Sequence, residues 1–257
     1  MIMQTISMRT KIVMVFISIC LTLAGCASDK ALKKRQAKAK QDLGKTLLAQ
    51  GDFPSGLSEL LKAVELDPEN PEIHNELALA YRGMGMYTQA IEHFTRATIL
   101  RPDFSEAYNN LGTVYLILEQ WDLAAKYFKN ALDNKLYKTP HFAYNNLGYA
   151  YYKKGDPGVA IENYLKAIQL QPSFSRAYHN LGVAYEAINE RDKAIESYNS
   201  SIRYAPENPV SHFNLGKLYA EMDNIPLAIK ELQETIKLDE KNTFAPEARK
   251  LLDKYTK

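Results

Sequence analysis

The residues best able to carry out chemistry are few and widely spaced. The chain has 2 cysteines and 5 histidines, and no two histidines lie four residues apart, so no helix would carry a ready pair of metal ligands. No Gly-x-Ser-x-Gly elbow occurs. The stretch Gly44-Lys45-Thr46 lacks the glycine that a phosphate loop needs five positions earlier, where Ala39 stands. The sequence therefore predicts no enzyme, no cofactor, no metal site and no small-molecule substrate.

Asparagine is the polar residue whose placement stands out. It recurs at one phase, at Asn110, Asn146, Asn180 and Asn214. Because asparagine is a poor helix former, its recurrence in helical sequence points to a use for the carboxamide, which donates and accepts hydrogen bonds. That use is either binding the backbone of a partner polypeptide or bonding neighbouring helices. On the first interpretation the predicted partner-binding groove comprises Asn75, Asn109, Asn110, Asn145, Asn146, Tyr149, Asn180 and Asn214.

The asparagine spacing belongs to an internal repeat that covers most of the chain. A small residue recurs at Gly44, Ala78, Gly112, Gly148, Gly182 and Gly216, in steps of 34, 34, 36, 34 and 34 residues. A tyrosine follows three positions later in all but the first unit, at Tyr81, Tyr115, Tyr151, Tyr185 and Tyr219. A repeat of this length predicts stacked helix pairs, since one pair cannot bury its apolar face without neighbours.

This pattern resembles the tetratricopeptide repeat. The resemblance implies an all-α fold, a right-handed superhelical solenoid of six repeats with a C-terminal capping helix, and it places the recurrent asparagines on the first helix of each pair. The predicted units are residues 37–70, 71–104, 105–140, 141–174, 175–208 and 209–242, followed by a capping helix over 243–257. The small residue lets the second helix approach closely, so a bulky replacement should cost about 1–3 kcal/mol. Residues 134–140 are two longer than the other junctions and are expected to split the rod into halves of three repeats.

The N-terminal residues predict export. A short basic head precedes an apolar stretch over residues 12–23, an arrangement typical of a secretory signal. Its end, Leu23-Ala24-Gly25-Cys26, resembles the lipobox of bacterial lipoproteins. The resemblance implies a signal peptide over residues 1–25 and acylation of Cys26. The other interpretation is an uncut signal anchor with a coincidental cysteine.

Residues 26–36 begin a lysine-rich segment behind that cysteine. The segment is either a solvated tether or a patch held against anionic head groups. Ala27 stands where aspartate retains lipoproteins in the inner membrane of some bacteria. The resemblance thus predicts attachment through Cys26 to the lipid bilayer of the outer membrane, on its periplasmic face, with the inner membrane as the alternative. The start of translation is open between Met1 and Met8.

The charge and the repeats together suggest the class of partner. The formal net charge of +2, from 32 basic and 30 acidic residues, argues against nucleic-acid binding. A lipid-anchored chain of six such repeats resembles the PilF/PilW-type pilotin family of type IV pilus biogenesis. That resemblance implies a protein-binding scaffold whose partner is a secretin subunit. The alternatives are an adaptor for peptidoglycan hydrolases and a scaffold for exopolysaccharide secretion.

Overall fold

The computed structural model describes the backbone of residues 8–255 and the side chains of residues 29–255. Within the described backbone the chain forms thirteen helices and no strand, which confirms the predicted all-α tetratricopeptide fold. The helices are α1 (Met8–Ala49), α2 (Phe53–Leu66), α3 (Pro71–Gly83), α4 (Tyr87–Leu100), α5 (Ser105–Ile117), α6 (Trp121–Asp133), α7 (Pro140–Lys154), α8 (Pro157–Leu170), α9 (Ser175–Ala187), α10 (Arg191–Tyr204), α11 (Pro209–Glu221), α12 (Ile225–Leu238) and α13 (Ala245–Tyr255).

The turns within the helix pairs share one backbone feature. Each contains a residue with a positive φ, and the six residues are Gly51, Gly85, Glu119, Gly155, Asn189 and Asp223. Their spacing of 34, 34, 36, 34 and 34 residues repeats that of the small residues. The left-handed conformation ends the first helix and reverses the chain, and glycine adopts it without steric cost.

Two of the junctions between pairs begin the next helix with a side-chain cap. Asn70 precedes Pro71, and its Oδ1 accepts hydrogen bonds from the backbone N–H groups of Glu72 and Ile73. Asn208 caps α11 in the same way, ahead of Pro209. Proline suits the first turn of a helix because its missing N–H would have no partner there. These caps mark the start of the second and sixth pairs.

The chain divides into two compact units, one ending at Pro102 and the other beginning at Asp103. In the first unit α1 pairs with α2 and α3 pairs with α4. Its core contains Leu60, Ile73 and Leu77, all fully buried. Lys40 on α1 donates to Glu59 on α2 at 2.8 Å, which ties the first pair together.

The second unit contains the remaining four pairs and α13. A large side chain from each second helix fills the space over the small residue of the first helix: Phe128, Tyr164, Tyr198 and Leu232 are all buried. A methyl group built on Gly112, Gly148 or Gly182 would lie within 2.6–2.7 Å of the facing ring. The predicted close approach of the two helices therefore exists.

Helix α13 covers the apolar end of the last pair. Ala248 and Phe244 pack with Phe213 and Leu232. The helix is started by Asp239, whose Oδ2 accepts hydrogen bonds from the backbone N–H groups of Phe244 and Ala245. The predicted capping segment 243–257 thus includes a helix that packs on the sixth pair, as far as Tyr255.

The junction over residues 134–140 does not mark the expected division of the repeats. Helices α6 and α7 pack against each other inside the second unit, and the units separate at Pro102 instead. The physical reason is Tyr137, which is 8% exposed and packs with Ala131 and Ala143. This side chain fills the space that the two extra residues open between the helices.

The N-terminal predictions concern side chains outside the described ones. The signal peptide over residues 1–25 and the acylation of Cys26 fall there. Helix α1 runs from Met8 to Ala49, so the backbone of the tether segment 26–36 is helical. From Asp29 to Arg35 its side chains are exposed. In the part of the chain whose side chains are described, no helix has an apolar stretch long enough to cross a membrane.

Candidate functional site

The predicted groove residues lie on the first helices of the pairs. In the second unit Asn109 and Asn110 lie on α5, Asn145 and Asn146 on α7, Asn180 on α9 and Asn214 on α11. These six residues are called the asparagine face below. Helix α7 contacts both α5 and α9, so three of these helices lie side by side. Asn75 lies on α3 in the first unit, where it is buried.

Hydrogen bonds join four members of the asparagine face into a chain. Asn180 Nδ2 donates to Asn145 Oδ1 at 2.9 Å. Asn145 Nδ2 donates to Asn146 Oδ1 at 3.4 Å, a long bond between adjacent residues. Asn146 Nδ2 donates to Asn109 Oδ1 at 3.2 Å. The carboxamides thus link α9 to α7 and α7 to α5, which is the helix-bonding role that the sequence left open.

The members of the asparagine face differ in their exposure to solvent. Asn145 is only 3% exposed, so its carboxamide works inside the protein. Asn109, Asn110, Asn146 and Asn180 are partly exposed. A carboxamide has two N–H donors and two acceptor lone pairs, so one bond to a neighbouring helix leaves it able to bond a ligand as well. Bonding between helices and binding of a partner are therefore compatible at the exposed members.

An aromatic and cationic group borders the face on α7. Tyr149 is 36% exposed, and the Nζ of Lys153 lies 5.8 Å from its ring centroid. The same Nζ lies 5.9 Å from the ring centroid of Trp121 on α6. A lysine between two rings is attracted to both π faces. The predicted groove residue Tyr149 thus lies beside a positive charge.

A second polar group was missed by the sequence analysis. The Tyr198 hydroxyl donates a short hydrogen bond to Glu186 Oε1 and also bonds Asn214. Burial raises the pKa of Glu186, although the bond from Tyr198 opposes that shift. The repeat spacing could have pointed to Glu186, because this residue lies 34 positions after Tyr152, at the same position of the next first helix. Asn214 therefore belongs to a carboxylate-containing group rather than to the bonded asparagine chain.

A buried hydroxyl network lies beside this group. His179 Nδ1 lies 3.1 Å from Ser211 Oγ, and Ser211 Oγ lies 2.9 Å from Ser201 Oγ. Burial lowers the pKa of His179 to about 4, so the imidazole is neutral at pH 7. The network connects α9, α10 and α11 with no net charge at that pH.

The arrangement suits recognition of polypeptide backbone by neutral donors and acceptors. Among the side chains of residues 29–255, no three histidine, cysteine, aspartate or glutamate residues group as metal ligands would. The charged residues named at the border, Lys153 and Glu186, have opposite signs. The face therefore offers hydrogen bonds and aromatic contacts rather than a field of one sign.

Sequence profiles identify the repeats directly. Profiles of the tetratricopeptide repeat match residues 103–173 and 71–104, and a profile of the TPR repeat matches residues 44–85, 158–189 and 187–223. Together they cover residues 44–223, more than half of the chain. The chain belongs to the tetratricopeptide repeat family. This tetratricopeptide repeat protein also shares 43% identity over 51 residues with the BBSome complex member BBS4 of Bos taurus, a match that spans 10% of that relative.

Solved structures of similar fold include bacterial proteins. Pseudomonas aeruginosa PilF superposes with a TM-score of 0.75 at 18% identity, over 86% of this chain and 99% of that one. PilW, a widely conserved type IV pilus biogenesis factor, gives a TM-score of 0.75 at 21% identity, over 84% and 98%. MamA gives a TM-score of 0.57 at 28% identity, over 67% and 93%. The tetratricopeptide fold thus extends over most of the chain.

Proposed function

We propose that this chain is a lipid-anchored protein-binding scaffold of type IV pilus biogenesis and acts as a pilotin for the pilus secretin. In this proposal Cys26 carries the lipid and holds the chain at the periplasmic face of the outer membrane. The observation that carries the proposal is the asparagine face, because aligned carboxamides suit the backbone of another polypeptide.

The similarity to PilF and PilW supports the choice of system. Each of those chains is covered almost completely, at 99% and 98%. PilW is a type IV pilus biogenesis factor, so a chain with the same repeat architecture is a candidate for a related function. At 18% and 21% identity the likeness concerns the fold, and the assignment to the pilus rests on the experiment below.

Helix spacing suggests how the face would bind. Packed helices lie about 8–10 Å apart, and an extended chain advances about 3.3–3.6 Å per residue. Carboxamides on neighbouring first helices would then meet an extended secretin segment about once every three residues. Because anchor and subunit would share one membrane surface, their effective concentration would rise and favour assembly of the secretin ring.

A deletion strain complemented by variants tests the anchor. The wild-type gene should restore SDS-resistant secretin multimers and a membrane-bound protein on density-gradient fractionation. Cys26→Ser should give an unlipidated protein and monomeric secretin. Unchanged multimers in the deletion strain would overturn the pilotin role. Co-purification with a cell-wall hydrolase or an exopolysaccharide exporter would identify an alternative scaffold role.

A second set of variants tests the asparagine face. Replacing Asn110, Asn146 and Asn180 together by alanine should preserve helicity, since alanine favours the helix. Purified secretin should then bind more weakly. Asn199→Ala is the matched control, because Asn199 is exposed on the second helix α10. If the triple variant melts at a lower temperature but binds secretin unchanged, the asparagines serve only to join the helices.

A further inference from the structure

The junction between α6 and α7 is an ordered structure that the proposed function does not use. Asn134 holds it in place: its Nδ2 donates to the carbonyl oxygen of Asp103 at 2.8 Å. Its Oδ1 accepts a hydrogen bond from the backbone N–H of Leu136 at 2.9 Å. The Tyr137 N–H donates to the Asn134 carbonyl oxygen at 3.1 Å. These bonds give residues 134–137 a fixed conformation.

This conformation points adjacent side chains in opposite directions. Tyr137 is 8% exposed and packs with Ala131 and Ala143, whereas Leu136 is 86% exposed. The leucine therefore lies in solvent beside a tyrosine that is packed into the core. Leu170, at the end of α8, is also 49% exposed.

A recess lies beside the exposed leucine. Its lining side chains are Leu132, Asn134, Lys135, Tyr137, Pro140, Tyr144, Lys166, Gln169 and Leu170. The apolar part comes from two leucines, two tyrosines and a proline. The Nζ of Lys166 lies 5.7 Å from the ring centroid of Tyr144, so one ammonium group is held at the recess. Lys135 supplies a second.

The charged side chains that line the recess are positive. They are Lys135 and Lys166, and no acidic side chain belongs to its described lining. The lysines would attract carboxylates, and the apolar recess between them would accommodate an apolar side chain. We propose that this recess is a second binding site, separate from the asparagine face, for an acidic segment of a partner polypeptide that carries one large apolar side chain.

The concave form favours a peptide over a membrane as the occupant. A bilayer surface would contact the protruding Leu136 and the lysines, but would leave the lining at Tyr144 and Leu170 empty. A peptide side chain would fill that lining while its acidic neighbours approached Lys135 and Lys166. The site depends on residues of the second unit and is independent of any role in the pilus.

Peptide probes and charge variants of the full chain in detergent test the site. The acidic probe is a fluorescein-labelled peptide with two glutamates on each side of a phenylalanine, measured by fluorescence anisotropy at low salt. Two comparison probes carry lysines for the glutamates, or glycine for the phenylalanine. The acidic aromatic probe should bind best, and Lys135→Glu with Lys166→Glu should weaken it by about tenfold or more.

Two control variants and one further test variant keep the outcome decisive. Lys126→Glu reverses an exposed charge on α6 away from the recess and should leave binding unchanged. The Asn110, Asn146 and Asn180 triple alanine variant should also bind the probe normally. Leu136→Asp should weaken the probe without altering the melting curve. Equal affinity for the acidic and basic probes, or Leu136-dependent binding to phosphatidylglycerol vesicles in place of the probe, would overturn the proposal.

Discussion

His212 and Glu231 form a buried ion pair between the two helices of the sixth repeat, with His212 Nδ1 2.7 Å from Glu231 Oε2. Their side chains are 10% and 9% exposed. The other ring nitrogen, Nε2, lies 3.2 Å from the carbonyl oxygen of Pro206. Both nitrogens face acceptors, so this geometry favours the doubly protonated imidazolium over the neutral ring.

The pair shifts both pKa values toward the charged forms. The hydrogen bond to Glu231 raises the pKa of His212, against the effect of burial. Burial by itself would raise the pKa of Glu231, but the bond and charge of His212 bring it below its ordinary value. The stabilisation from His212 is complete below about pH 6.5 and is lost as pH rises through its raised folded pKa. That from Glu231 is complete above about pH 4.3 and is lost as pH falls through its lowered folded pKa.

Breaking this pair should destabilise the protein most between pH 4.3 and 6.5. Glu231→Gln should lower the free energy of unfolding by about 3 kcal/mol in urea titrations at pH 6, and should lower the pKa of His212 in NMR titration. Glu234→Gln is the control on the same helix. Its partner Lys237 is exposed, so its loss should cost less than about 1 kcal/mol. Equal effects of the two variants would contradict the buried-pair assignment.

The space beside Gly148 is so small that even the methyl group of alanine should destabilise the fold. In the fourth repeat a Cβ on Gly148 would lie 2.7 Å from the Tyr164 ring and 3.0 Å from the Ala160 carbonyl oxygen. Gly148→Ala should therefore cost about 1–3 kcal/mol in chemical unfolding. The low end is expected if the helices move apart slightly, since Ala78 occupies this phase opposite Phe94 in the second repeat.

Backbone conformation should decide the effect at two other glycines of that repeat. Nothing lies within 4 Å of a Cβ built on Gly155 or Gly158, but only Gly155 has a positive φ, of 94°. Gly155→Ala should destabilise by about 1 kcal/mol because the left-handed conformation disfavours a Cβ. Gly158→Ala should instead stabilise α8 by up to about 1 kcal/mol. Thermal melts of the two variants that shift in the same direction would refute this reasoning.

The repeat phase made the helices and their close contacts predictable. The positions of Gly148 and Tyr164 recur in every unit, so their packing follows from the spacing. The left-handed turns were only half visible, since glycine marks Gly51, Gly85 and Gly155 while Glu119, Asn189 and Asp223 adopt the same conformation elsewhere. The residue type at Glu119, Asn189 or Asp223 does not by itself predict a left-handed conformation. Their position in the repeat does, because it is the position that glycine occupies in the other turns.

Polar partners were harder to predict because they depend on the register between helices. His74 and His212 stand at the repeat position where three other units carry tyrosine, yet each bonds a residue nineteen positions later, His93 in one case and Glu231 in the other. The sequence also left the role of the asparagines open. Which carboxamide bonds which neighbour depends on side-chain rotamers, which no spacing specifies.

Asn145 should be the structural member of the asparagine face. It bonds both Asn180 and Asn146 and is 3% exposed. Asn145→Ala should lower the free energy of unfolding by about 1–3 kcal/mol, since it leaves neighbouring carboxamides without their partner. Circular dichroism during urea unfolding measures this. The control is Asn199→Ala on the exposed side of α10, which should change stability by less than about 0.5 kcal/mol. An Asn145→Ala variant as stable as that control would show that these bonds contribute little.

His179 should make the protein less stable in acid. Burial lowers its folded pKa to about 4, below the unfolded value of about 6.5, so the unfolded chain binds the proton more readily between those values. Stability should fall as pH decreases through this range, by up to about 1.4 kcal/mol per pH unit from this group. Subtracting the profile of His179→Gln isolates that slope from those of other residues. Ser211→Ala removes the hydroxyl beside His179 but retains the titrating ring, so it should lower stability while keeping the slope. Parallel profiles for wild type and His179→Gln would mean that the imidazole is not held neutral by burial.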